Sequence, residues 1–161
     1  MIQAYIFDWG DTLMVDFPEA QGKMCHWLKV AAVDGAQEAL AVLSKTAKIY
    51  AATGAADSTE QEIKLAFERA ELSQFISGYF CQENVGFTKG SAEFMPTILS
   101  RINHPLNSIV MVGDNIEKDI KPALSAGIQA IWFAPDLNTG KCLNNENGEF
   151  KSIKHLLALC H

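Results

Sequence analysis

Four polar residues stand where apolar stretches of this chain give out or just beyond them: Asp8, Thr53, Lys89 and Asp114. Their types suit one reaction, phosphoryl transfer through a covalent aspartyl phosphate. A carboxylate that approaches a phosphate dianion needs its repulsion cancelled. A Mg²⁺ held by two carboxylates, together with a lysine ammonium, would do so, while a hydroxyl and backbone N–H groups hold the phosphoryl oxygens. Each residue also has a simpler reading. Asp8 and Asp11 can shape a turn, Thr53 and Asp114 can cap, and Lys89 can be a solvated surface lysine. Their joint placement after strands is what favours chemistry.

The elements that must position them follow from apolar periodicity. Residues 2–7 form a short run rich in β-formers and read as a buried parallel strand, with Asp8 at its carboxyl end. Open α/β sheets bind ligands at that edge. Asp34-Gly35-Ala36-Gln37 resembles a capping box opening a helix to about Lys45. Lys48 to Ala52 is a second strand, ending at Thr53-Gly54. Asp57 to Glu60 caps a second helix carrying Ile63, Ala66, Phe67 and Ala70. Gly78 to Cys81, Ser108 to Val112 and Ile128 to Phe133 supply three further strands. Pro96 marks the start of the intervening helix or a kink in it, and Pro122 opens a short helix closed by Gly127. Residues 138–148 read as an Asn/Gly-rich loop, and 153–159 as an amphipathic helix. Strands alternating with helices predict an α/β fold: a doubly wound, Rossmann-like parallel sheet of about five strands with helices on both faces. We expect one domain over residues 1–161, with the irregular residues 14–32 as a minimal flap.

Composition narrows the function classes. The net charge is −6 over 161 residues, which argues against nonspecific nucleic-acid or anionic-membrane partners. No apolar stretch approaches a membrane span, and Asp8 interrupts the N-terminal run, so a signal peptide is not expected. Cys25, Cys81, Cys142 and Cys160 are scattered without a Cys-x-x-Cys pair, and read as reduced thiols of a cytoplasmic protein.

Asp8-Trp9-Gly10-Asp11-Thr12-Leu13, the strand ending at Thr53, Lys89, and Gly113-Asp114-Asn115-Ile116-Glu117-Lys118-Asp119 resemble, in order, the four signature motifs of the haloacid dehalogenase superfamily. The resemblance covers roughly residues 2 to 133. It implies that Asp8 is the nucleophile and that Thr53 and Lys89 bind the phosphoryl group. It also implies that Asp8, the Gly10 carbonyl and Asp114 hold Mg²⁺. Asp119 would support the metal's waters or Lys89, with Gly54 and Asn115 as neighbouring supports.

The chain departs from the family pattern at one turn. The family's phosphatases usually carry a second aspartate two residues after the nucleophile, as general acid and base. Here that position is Gly10, and an aspartate follows at Asp11, where glycine is usual. Gly10 can offer a carbonyl to a metal but cannot move a proton, a loss worth on the order of 10²–10⁴ in rate. Asp11 is the first substitute, with Asp16 and His26 as others; His26 also reads as the polar edge of a packed helix. Neither place where the family inserts a cap domain has room for one, so an open site is expected. It would act on a small phosphorylated metabolite, alone or with a lid borrowed from another subunit of a homo-oligomer. The expected activity is a Mg²⁺-dependent phosphatase. The rival is a degenerate member that binds phosphate or a protein partner with little turnover. A dehalogenase fits Gly10 but not Asp114 in a metal-binding motif, and a receiver-like signalling module fails on motif order.

Overall fold

The computed structural model describes residues 1–137, 142–145 and 148–161. In chain order its strands and α-helices are β1 (Ala4–Asp8), α1 (Ala36–Leu43), β2 (Lys48–Ala52), α2 (Glu60–Arg69), β3 (Gly78–Phe80), α3 (Gln82–Val85), α4 (Phe94–Ile102), β4 (Ile109–Gly113), α5 (Lys121–Ser125), β5 (Gln129–Phe133), β6 (Cys142–Asn145) and β7 (Gly148–Ile153). They build one sheet in the order β3-β2-β1-β4-β5-β7-β6. Every pairing is parallel except β6 against β7 at the edge. The fold is therefore the expected doubly wound α/β sheet, but with seven strands where about five were expected.

Both faces of the sheet are covered, and side-chain alternation along the strands sorts the core into two layers. Phe7, Ile49, Ala51, Val110 and Val112 face one way and pack with Leu40 of α1 and Ile63 and Phe67 of α2. Ile6, Ala52, Ile109 and Met111 face the other way, against Phe94 and Ile98 of α4 and Ala123 of α5. A strand buried on both faces must be apolar at successive positions, which is why β1 and β4 read as unbroken apolar runs.

Three expectations are corrected. Residues 148–153, of which only the ends were assigned, 148 to a loop and 153 to a helix, form β7, while Cys142–Asn145 form β6; the rest of the expected 138–148 loop lies outside the described residues. Glu149 and Lys151 are exposed while Phe150 and Ser152 are buried, an alternation too short to compete with the Asn/Gly signal. The terminal helix is a 3₁₀ turn over Leu156–Cys160. Asp34 does not cap α1: Gly35 does, at φ 81°, without a side-chain hydrogen bond, and Asp34 lies instead 3.2 Å from His155 Nε2. At α2 the cap is Thr59, whose side chain and that of Glu62 close a reciprocal capping box. Pro96 falls in the first turn of α4, where its missing N–H costs nothing.

Residues 14–32 contain one 3₁₀ turn, Met24–His26. Met14 pairs antiparallel with Ala32 at their base. Arg69 at the end of α2 donates to the carbonyls of Cys25 (3.0 Å) and Trp27 (2.6 Å). Lys23 lies 2.8 Å from Glu62 of the same helix. No described helix is long and apolar enough to cross a membrane.

Candidate active site

Strands β2, β1 and β4 are neighbours in the sheet and run parallel, so their carboxyl ends bring Thr53, Asp8 and Asp114 side by side. After Asp8 the chain turns sharply. The Trp9 carbonyl accepts the N–H groups of Leu13 and Met14 at 3.1 Å each, and Asp11 N–H reaches the Met14 carbonyl at 2.7 Å. Trp9 is buried and anchors this turn in the core. Asp11 takes φ 58°, a left-handed conformation that Asp tolerates better than most side chains.

Lys89 enters from the loop after α3, between the positive-φ glycines Gly86 and Gly90. Its ammonium pairs with Asp8 Oδ1, lies 2.8 Å from Asp119 Oδ1, and donates to the Ala52 carbonyl at 3.0 Å. Only 4% of the Lys89 side chain, 13% of Asp8 and 1% of Asp119 remains exposed. Asp119 comes from a π-helical turn, Ile116–Ile120, which the Asn115 side chain caps by accepting Lys118 N–H at 2.9 Å. The Asp119 carboxylate also accepts Asn115 N–H at 3.1 Å. It packs against the Cα of Gly113, where any Cβ would collide with it.

Thr12 is fully buried, and its hydroxyl lies 3.3 Å from Asp8 Oδ2 and 3.4 Å from Asp114 Oδ1. A hydroxyl has one proton, so it serves one of these carboxylates at a time. Trp132 of β5 donates its indole N–H to the Asp114 carbonyl at 2.9 Å. Thr53 is buried, and its hydroxyl accepts Ala55 N–H at 3.0 Å.

The electrostatics are those of carboxylates in excess. Burial disfavours the charge on Asp8, but the adjacent Lys89 ammonium and the hydrogen bond with Asp114 outweigh it and hold its pKa below the usual range. Burial, then hydrogen bonding and repulsion from Asp8, push Asp114 up to about 7. Burial pushes Asp119 up to about 6, with Asp8 adding repulsion and Lys89 opposing. Burial lowers the Lys89 pKa, yet its two carboxylate partners raise it overall. Burial, Asp11 and Asp8 raise Asp16. Oxygens of Asp8, Asp114 and Asp119 lie within 4.8 Å of one another. Such a cluster, all hard oxygen donors with one ammonium among them, fits a small divalent cation.

Every site residue expected from the sequence lines one cleft of about 400 Å³: Asp8, Gly10, Asp11, Thr53, Gly54, Lys89, Asp114, Asn115 and Asp119. Asp16, Lys23, Met24, Trp27 and Lys118 line it too, so the 14–32 segment forms part of its wall. His26 does not; it is exposed on the outer side of that segment. The sequence reading missed Thr12 and Trp132. Thr12 sits inside the first motif and could have been found there, whereas nothing local marks Trp132.

A model of the hydrolase-like family described as HAD-hydrolase-like matches residues 87–153. HAD-hydrolase YfnB of Bacillus subtilis is 26% identical over 106 residues, 65% of this chain and 44% of that protein. Its crystal structure, described as bound to magnesium, superposes with a TM-score of 0.77 at 15% identity over 98% of this chain and 96% of that one. Ribulose-1,5-bisphosphate 5-phosphatase of Halopiger xanaduensis is 29% identical over 107 residues, 66% of this chain and 44% of that protein. A 2-haloacid dehalogenase from Pseudomonas syringae pv. Tomato DC3000 superposes with a TM-score of 0.76 at 19% identity, covering 99% of this chain and 96% of that one. The aligned region spans under half the length of the two curated relatives.

Proposed function

We propose that this chain is a member of the haloacid dehalogenase superfamily of hydrolases, as its family match and relatives support, and a Mg²⁺-dependent phosphatase that hydrolyses a small phosphomonoester through an aspartyl phosphate on Asp8. The observation that carries this reading is the environment of Asp8. One of its oxygens is paired with the buried Lys89 ammonium, while the other faces Thr12 and the second carboxylate, Asp114. Its lowered pKa keeps it ionised, as a nucleophile must be.

In this reading Asp8 attacks phosphorus and the bond to the leaving oxygen breaks. Lys89 and the Thr53 side of the cleft hold the phosphoryl oxygens, drawing their charge away from the reacting carboxylate. Asp119 fixes the Lys89 ammonium, and Gly54 and Asn115 border the phosphoryl position. Asp8, the Gly10 carbonyl and Asp114 are the groups that would hold Mg²⁺, which supplies charge neutralisation at the phosphoryl oxygens. Water then releases phosphate and restores Asp8. Residues 14–32 act as a minimal flap, since Lys23, Met24 and Trp27 reach the cleft. The phosphatase relative favours a small phosphorylated metabolite as substrate, and the buried free thiols Cys25 and Cys81 suit the cytoplasm.

A second reading is a phosphate-binding member with little turnover, favoured by Gly10, which has no side chain to move a proton. One experiment separates them. With Mg²⁺ and BeF₃⁻, a mimic of the phosphoryl group, the wild type should form an adduct on Asp8 that Asp8→Asn lacks. A screen of phosphorylated metabolites should then show Mg²⁺-dependent phosphate release. An adduct without release supports the binding-only reading; an adduct on another carboxylate, or none, sinks the assignment of Asp8.

A further inference from the structure

Phosphoryl transfer from an alcohol needs a group that gives the leaving oxygen a proton and later takes one from water. We infer that Asp16 is that group in this protein, its carboxylate lying against the space beside Gly10 that a side chain there would enter, with Asp11 as the residue that positions it. This inference rests on the phosphatase reading above.

The carboxylates lining the cleft can be sorted by what already engages them. Asp8 and Asp119 are paired with Lys89. Asp114 meets the Thr12 hydroxyl on the side shared with Asp8. Asp57 accepts the Ser58 hydroxyl at 3.3 Å. Asp11 accepts the backbone N–H of Asp16 through Oδ1 at 3.0 Å, which closes the turn and returns the chain towards the nucleophile. Among the described residues no hydrogen bond or ion pair engages the Asp16 carboxylate, and it borders the same cleft as Asp8 and Lys89. A group that must exchange protons with substrate and water has to be free in this way.

The Asp16 carboxylate comes close to Gly10. A Cβ built on Gly10 would have as its three nearest neighbours Asp16 Cβ (3.6 Å), Oδ2 (3.6 Å) and Cγ (3.8 Å). A Cβ there would sit at ordinary van der Waals distance, so a carboxylate carried by residue 10 would lie beside the one Asp16 carries. The turn from Asp11 to Asp16 brings a carboxylate beside residue 10 from six residues further along the chain. The chemistry balances in both halves. As Asp8 attacks phosphorus, the protonated Asp16 carboxyl gives its proton to the departing alkoxide. When water attacks the aspartyl phosphate, the Asp16 carboxylate takes the water's proton as the bond from phosphorus to Asp8 breaks.

Substituted phenyl phosphates, with leaving phenols from acidic to weakly acidic, test this through kcat/KM, which reports the first chemical step. A p-nitrophenolate leaves with little help, so Asp16→Asn should cost it less than about tenfold. Phenyl and p-methoxyphenyl phosphates should lose about 10²-fold. The BeF₃⁻ adduct on Asp8 should form in Asp16→Asn as in the wild type, which shows the site intact. Gly10→Asp placed in an Asp16→Ala background should restore most of the loss for poor leaving groups, because its carboxylate enters the vacated space. A merely structural role for Asp16 would not change the dependence on leaving group. An Asp16→Asn protein with the wild-type dependence overturns the inference and leaves the phosphatase reading standing. A wild type that takes the adduct on Asp8 but turns over no aryl phosphate also overturns it. A wild type that neither takes the adduct nor turns over any ester overturns the phosphatase reading and this inference with it.

Discussion

Lys89 Nζ lies 2.8 Å from Asp119 Oδ1, with both side chains nearly closed to solvent. The two arrive from opposite sides of the site: Lys89 from the loop after α3, Asp119 from the turn before α5. Their meeting fixes the ammonium where Asp8 needs it. A buried ion pair is worth little in net stability, but removing one partner strands the other.

Lys89→Met leaves Asp8 and Asp119 without their common cation. Urea unfolding in the absence of divalent metal should show a loss of about 3–5 kcal/mol. A variant as stable as the wild type would mean that this pairing does not persist in solution.

Mg²⁺ binding should depend on pH with a definite sign. Asp114, with a pKa pushed up to about 7, keeps a proton that its unfolded counterpart, at 3.8, has released. The metal-free fold should therefore lose stability through this group as pH climbs from 3.8 towards 7. Asp119, raised to about 6, acts in the same direction; Asp8, lowered, acts oppositely and only in acid. Mg²⁺ must displace the Asp114 proton, so its affinity should rise up to roughly tenfold per pH unit below 7 and level off above. Calorimetry over pH 5.5–8.5 measures this. Asp114→Asn should flatten the profile and cut affinity. A wild-type affinity independent of pH would rule the proton exchange out.

Gly113→Ala should disturb the site although it adds one methyl group to a strand end. Its Cβ would run into the Asp119 carboxylate. The strand can absorb little of this, since Gly113 pairs with Trp132 of β5. We expect a loss of about 1–3 kcal/mol, as for overpacking elsewhere, together with weaker BeF₃⁻ capture. Unchanged melting and capture would show that Asp119 moves aside freely.

Arg69→Ala should loosen residues 24–29 without touching Asp8. Arg69 holds the Cys25 and Trp27 carbonyls, and its loss leaves Lys23–Glu62 as the main polar tie to α2. Amide exchange across residues 24–29 should quicken by about tenfold or more, with the sheet amides unaffected. Equal protection in the two proteins would show that apolar packing alone, such as Met24 and Cys25 in the core, holds the segment down.

The sequence by itself determined the parts of this protein that depend on neighbours along the chain. Apolar runs buried on both faces placed β1, β2 and β4 to within two residues. The polar residues that end or follow them placed Asp8, Thr53 and Asp114 on one edge, because parallel strands must share a direction. The four motifs, read in order, pointed to the same hydrolase-like pattern that the comparisons find, and Pro96 and the capping residues around Thr59 marked helix starts through local hydrogen-bonding rules. What the tertiary structure decided are relationships across the sheet. Trp132 meets Asp114 only because β5 lies beside β4 in a particular register. Asp34 meets His155, and so does not cap α1, only because the chain terminus folds back over that helix. The β6–β7 hairpin forms where local composition favours a loop, since β5 offers a paired edge that outweighs it. Asp16 lies beside Gly10 for the same kind of reason: a left-handed residue and one Asx hydrogen bond bend the chain back, and neither can be read from residue types alone.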